Sequence, residues 1–273
     1  MARLQTISLP NNNLFGSIPP DFFHAVKNLT VIDLSYNELS GTLPTELGLL
    51  RNADEFLLDH NLLQGRVPTE LGLLGSGAAS KINLGVNPLS GVLPTELKSL
   101  SNLEYLGVGQ TNIEGTLPPL ASSLQILHAE YSAISGHLTA RVVAADGSLV
   151  SDLQLLRSVS FSGSSLSGTL PSELGVEWLT RATFAATSIS GTIPSQLGHP
   201  KGLQLLDAAR TSLSGTLPTE LFERSGRLNT INLFDTQLSG TLPTLFATLG
   251  SLRNLYVPRE LTQYLRQKYA CSD

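Results

Sequence analysis

The chain holds little of what disulfide scaffolds, redox proteins and most enzymes are built from. Cys271 is its one cysteine in 273 residues, so no internal disulfide and no C-x-x-C motif can form. Aromatic residues are 6% of the chain and charged residues 14%, lower than a globular enzyme of this size usually carries. The net charge of -5 argues against a nucleic-acid partner, which needs clustered Lys and Arg to displace counterions. No apolar run approaches the roughly 18 residues of a membrane span. G-x-S-x-G, H-E-x-x-H and G-x-x-x-x-G-K-[ST] are all missing. The histidines at 24, 60, 128, 137 and 199 fall in no metal-ligand spacing, so neither a metal nor another cofactor is expected. Met1-Ala2-Arg3-Leu4 leads into no apolar run and is not a secretory signal, leaving a cytosolic protein or a chain that begins inside a longer precursor.

What the chain has is repetition. A Gly-x-x-Pro tetrad begins at Gly16, Gly41, Gly65, Gly91, Gly115, Gly168, Gly191, Gly215 and Gly240, with a degenerate copy at Gly136. The glycine spacings are 25, 24, 26, 24, 21, 32, 23, 24 and 25. Before each tetrad lies a run L-x-x-L-x-L-x-x-N, as in Leu29-Ile32-Leu34-Asn37, Leu103-Leu106-Val108-Thr111 and Leu228-Ile231-Leu233-Thr236; the first is Leu4-Ile7-Leu9-Asn12 and the last Leu252-Leu255-Val257. The alternation predicts a short strand with one face toward an interior. Leu39, Leu89, Leu213 and Leu238, two residues before the glycine, and Leu47, Leu97, Leu197 and Leu221 on the return path point to the same interior. About six aliphatic side chains per repeat, each worth roughly 1.5–3 kcal/mol when buried, can be covered only by neighbouring repeats. The ninth position is Asn at 12, 37, 61 and 87, then Thr or Ser at 111, 132, 164, 187, 211 and 236, a switch that suggests two blocks of repeats.

Asn37-Glu38-Leu39-Ser40-Gly41-Thr42-Leu43-Pro44-Thr45-Glu46-Leu47-Gly48 resembles the plant-type leucine-rich repeat, and the resemblance runs from residue 4 to 257. That family includes receptor-kinase ectodomains, polygalacturonase-inhibiting proteins and surface proteins of algae and protists. The resemblance implies an α/β repeat solenoid, a horseshoe or superhelix of about 11 repeats. It would carry a concave parallel β-sheet and a short helical or irregular convex side. It further implies a non-catalytic, usually extracellular or cell-surface module that binds a protein or peptide, as in signalling or defence; a monomer is favoured. The paired-cysteine caps of secreted members are missing, and no kinase domain follows.

The expected division is a repeat domain over 1–257, lengthened near 139–155 by a convex-side loop or helix, and a helical cap over 258–273. Pro10 and Pro258 share one strand register, as suits edge strands bounding a solenoid. Asn28-Leu29-Thr30 is the one N-glycosylation sequon. Solvent-side strand positions are free of core duty and are the candidate binding face. Tyr36, Asp59, His60, Tyr105, His128, Glu130 and Tyr131 form the expected patch, aromatics flanked by acids that suit a basic or polar peptide. The middle of the face is nearly bare, from Ser158 and Ser160 to Ala185 and Ala186, and arginines (Arg181, Arg210, Arg259) enter later. A second reading rests on Ser167/Thr169, Ser190/Thr192, Ser214/Thr216 and Ser239/Thr241, hydroxyl rows on a flanking face suited to a structural, glycan- or ice-contacting protein.

Overall fold

The computed structural model describes residues 4–138, 142–143, 149–150, 154–223, 226–245 and 249–261. The chain divides into two compact units, Met1–Ser135 with Arg141–Leu153, and Gly136–Ala140 with Gln154–Asp273. In unit 1, strands Thr6–Ser8, Val31–Asp33, Glu55–Leu57, Lys81–Asn83, Tyr105–Gly107 and Ile126–His128 form a parallel sheet in chain order. In unit 2, Ser158–Ser160, Arg181–Thr183, Leu205–Asp207, Thr230–Asn232 and Asn254–Tyr256 do the same. Each strand has one apolar central residue, which points inward. Ile32, Phe56, Ile82, Leu106 and Leu127 line unit 1, and Val159, Ala182, Leu206 and Ile231 line unit 2, all buried. Register holds without slippage because moving by one residue would turn each of these outward.

The leucines assigned to the return path and to the position before each glycine are buried as well. Leu4 and Leu9 differ: both are exposed, because their coil has a described neighbour on one side only.

A second parallel sheet, not anticipated as strands, runs through the tetrads. In unit 1 it takes in Phe15–Ser17, Glu38–Thr42, Leu62–Arg66, Leu89–Val92 and Asn112–Gly115, with the start of Ala133–His137; unit 2 has its own, of Ser165–Thr169, Ser188–Gly191, Ser212–Gly215 and Gln237–Leu238. The tetrad glycine ends or nearly ends each strand with φ between 76° and 91°. A side chain there would also collide with the preceding coil. A Cβ on Gly65 would lie 2.9 Å from the Thr42 methyl, and one on Gly191 2.8 Å from the Thr169 methyl. Glycine therefore answers two demands, a left-handed backbone and a close approach. The proline that follows stands in extended conformation and opens a short helical turn, as at Pro44 before Thr45–Leu49 and Pro94 before Thr95–Ser99.

The ninth-position side chains stitch the interior in two ways. Asn61 Nδ2 donates to the carbonyls of Leu58 and Asp59 in its own coil and of Leu34 in the coil before; its Oδ1 accepts from Leu39 N–H. Asn37 and Asn87 repeat this bridge. Thr111, Ser132, Thr187 and Thr211 instead donate to a carbonyl three residues back within their own coil. The change of chemistry falls inside unit 1, whereas the division between units falls at the long 32-residue spacing.

Of the added residues near 139–155, Val142–Val143 pairs antiparallel with Leu149–Val150 and Gln154 and Leu155 stand in a turn; the others lie outside the described residues. Of the expected cap, residues 259–261 are helical and Leu261 is buried, while residues 262–273 lie outside the described residues.

Candidate ligand-binding face

The register of unit 1 sorts the outward side chains into columns, each member one strand spacing (about 4.8 Å) from the next. The first reads Thr6, Val31, Glu55, Lys81, Tyr105, Ile126, and the second Ser8, Asp33, Leu57, Asn83, Gly107, His128. Beyond the strands the backbone ladder continues, with Tyr36 N–H donating to Asp59, His60 to Gly85, Val86 to Gly109 and Gln110 to Glu130. Asp59, Gly85, Gly109 and Glu130 thus make a third column, and Tyr36, His60, Val86, Gln110 and Tyr131 a fourth.

Every residue of this fourth column has φ between 52° and 55°. That region favours glycine and asparagine, and a β-branched residue such as Val86 is strained there. Sequence reading missed the feature. Its one trace is Gly163 at the equivalent position in unit 2, with Asn11 and Asp235 elsewhere in the column.

The structure gathers the predicted residues into two clusters. In the first, Tyr36 and His60 are column neighbours and stack, centroids 3.9 Å apart at 13°. His60 Nδ1 donates to Asp59 Oδ2 at 3.0 Å, the tautomer a carboxylate requires. In the second, Tyr105 meets His128 edge to face at 5.5 Å, with its hydroxyl 3.4 Å from Nδ1. Lys81 Nζ sits 5.8 Å from the centre of the Tyr105 ring. Glu130 lays its carboxyl over Gly109; its Oε2 is shielded from solvent and has no partner among the described residues. Tyr131 stands apart, 65% exposed and stacked on no other ring among the described residues.

Between the clusters Gly85, Gly107 and Gly109 are buried, with the Asn83 amide and the Tyr105 ring lying against Gly107 and the Glu130 carboxyl against Gly109. A Cβ on Gly107 would come 3.0 Å from Tyr105 Cε1, and one on Gly109 2.8 Å from the Glu130 carboxyl carbon. The tyrosine and the glutamate therefore lean across the sheet because these positions are bare. Glycine in a strand often marks close approach of another chain, and that was the signal available in the sequence. Burial raises the Tyr105 phenol above its ordinary pKa of 10.0, and the negative charges of Asp59 and Glu130 add to the rise. Both carboxylates are thus felt at one hydroxyl, a setting that favours neutral or cationic ligand groups.

The flanking sheet of unit 2 presents Ser165, Ser167 and Thr169, then Ser188, Ser190 and Thr192, then Ser212, Ser214 and Thr216, an uncharged face. Three of its serine hydroxyls are engaged: Ser167, Ser190 and Ser214 donate to the carbonyls of Gly136, Gly168 and Gly191 at 3.2–3.4 Å. Among the described residues no group of three or more His, Cys, Asp or Glu could hold a metal ion, and no helix is long and apolar enough to cross a membrane.

The family model described as Leucine rich repeat matches residues 2–63. No curated protein sequence is significantly similar to the chain. Among solved structures, the PEPR1–AtPEP1 complex is 28% identical with a TM-score of 0.76, over 93% of this chain and 38% of that one. The plant peptide hormone receptor RGFR1 in complex with RGF2 is 25% identical with a TM-score of 0.66, over 94% and 47%. A plant ice-binding protein is 24% identical with a TM-score of 0.74, over 92% and 80%, a likeness of fold alone. The chain spans less than half the length of the first two.

Proposed function

We propose that this leucine-rich-repeat solenoid is a non-catalytic recognition module for a protein or peptide, working at a cell surface or outside the cell. The observation that carries this reading is the pair of ring clusters on the outward face, Tyr36 stacked on His60 beside Asp59 and Tyr105 against His128 beside Glu130. An extended segment laid across this face would meet the rings of the two clusters with its side chains. The carboxylates of Asp59 and Glu130 favour polar or basic residues in the ligand, and exposed Tyr131 supplies amphipathic contact area at its margin. The likeness to a plant peptide hormone receptor supports the ligand class.

The test is selection of binders from a random peptide library on the intact protein. Recovered peptides should be enriched in Lys or Arg, and Tyr131→Ala or Glu130→Gln should weaken them about fivefold or more, the loss of roughly 1 kcal/mol that marks a contributing interface contact. Thr192→Ala with Thr216→Ala, on the flanking face of unit 2, should leave binding unchanged. Peptides insensitive to the first pair and lost with the second would overturn the reading. They would favour the alternative, a structural, glycan- or ice-contacting protein, whose support is the uncharged Ser/Thr face; thermal hysteresis abolished by the two threonine changes would establish it.

A further inference from the structure

Register also sorts the charges at the edge where the strands of unit 2 begin. The residues leading into those strands are linked by backbone hydrogen bonds as Arg157, Thr180, Gln204, Asn229 and Arg253. The first strand column reads Ser158, Arg181, Leu205, Thr230, Asn254. Arg227 joins them from the turn before Thr230. No carboxylate occupies either column. The equivalent columns of unit 1 hold Asp54, Glu55 and Glu104 against Lys81.

Arg157, Arg181, Arg227 and Arg253 are all exposed, and none forms an ion pair with a carboxylate among the described residues. Arg181 and Arg227 face an open depression of about 550 Å³ also lined by Gln204, Asn229, Thr230 and Ser251. From the first strand to the fifth the row of guanidinium groups covers about 19 Å, four strand spacings. At its Arg157 end stands Trp178, 51% exposed, its ring 5.9 Å from the guanidinium carbon.

We propose that this edge of unit 2 binds an anionic polysaccharide, its sulfate or carboxylate groups seated on Arg181 and Arg227 and its chain running along the arginine row. Guanidinium is the side chain suited to planar, two-point recognition of such oxyanions. The amides and hydroxyls between the arginines match a ligand rich in hydroxyls, and the Trp178 indole offers a flat face to the C–H side of a sugar ring. A single-stranded nucleic acid would need a succession of aromatic platforms, and none lines the depression.

The test passes the full chain over immobilised dextran sulfate, polygalacturonate and uncharged dextran. Retention on either anionic polymer, released by salt, and none on dextran is expected; which polymer retains it assigns sulfate ester or uronate. Arg181→Ala with Arg227→Ala should weaken retention about a hundredfold, roughly tenfold for each lost charge-assisted pair, with the circular dichroism spectrum unchanged. Arg66→Ala, an exposed arginine of unit 1, should have no effect. Retention on neither anionic polymer, equal retention on uncharged dextran, a double variant that binds like the parent, or displacement by polyglutamate as readily as by dextran sulfate would each overturn the proposal.

Discussion

Replacing Asn61 by alanine tests how the interior of unit 1 is held. Its side chain makes four hydrogen bonds of 2.9–3.3 Å, all buried. Three of the four backbone groups have a second partner. Leu34 O also receives Asn37 Nδ2, Leu58 O receives Asn87 Nδ2, and Asp59 O receives the Tyr36 amide. Only the Leu39 N–H depends on Asn61 alone. A stranded buried donor costs about 1–3 kcal/mol, and the three shared bonds add about 1 more, so Asn61→Ala should destabilise by about 2–4 kcal/mol. Thr211→Ala removes one bond, to Ala208 O at 2.8 Å, and should cost about 1 kcal/mol. Urea denaturation of the two variants gives the comparison. Amide exchange gives the location, because Leu39 should lose protection while Leu63, served by Asn87, keeps it. Equal losses in the two variants, or an unchanged Leu39 amide, would refute the reasoning.

Gly191→Ala meets both a φ of 78° and the Thr169 methyl, and should cost about 2–4 kcal/mol. Thr169→Ser should recover part of that loss in the double variant, and strict additivity in thermal melts would show that the close contact does not matter. Tyr105 should ionise above the ordinary 10.0 of a phenol in an ultraviolet difference titration against Tyr105→Phe, with Asp59→Asn and Glu130→Gln bringing it down. Its folded pKa lies above the unfolded value, so its contribution to stability is fully present below pH 10.0 and is lost as pH rises through the folded value. A Tyr105→Phe variant should lack that part of the alkaline decline in stability.

The stack of coils was legible because its cause is local and periodic. Residues such as Ile82 and Leu106 recur at one spacing, and burial then leaves a single register. The second sheet was harder to read. Its strands, such as Ser188–Gly191, are rich in serine and glycine, which carry weak strand propensity, and only stacking on a neighbour makes them extended. The seven candidate residues were read as outward positions, and of them Asp59 is buried against His60. Their division into two clusters was not legible, because it depends on backbone at positive φ beyond the strands and on glycines that let Tyr105 and Glu130 lean. Sequence reading looks for what side chains do, and here absent side chains shape the face. The arginine row was half visible: Arg181 was noted, while Arg157, Arg227 and Arg253 lie before the strands and join it only through the ladder.

The column of left-handed residues that carries Tyr36, His60 and Tyr131 bears on the thermodynamics of capture. The direction in which each of these side chains leaves the chain is set by a backbone torsion locked in a hydrogen-bonded coil, not by a choice made on contact. Under the proposed function, much of the ordering that association normally demands would be completed during folding, and a partner would meet a surface already arranged. On such a surface, changes of side chain should alter how long a complex lasts more than how fast it forms.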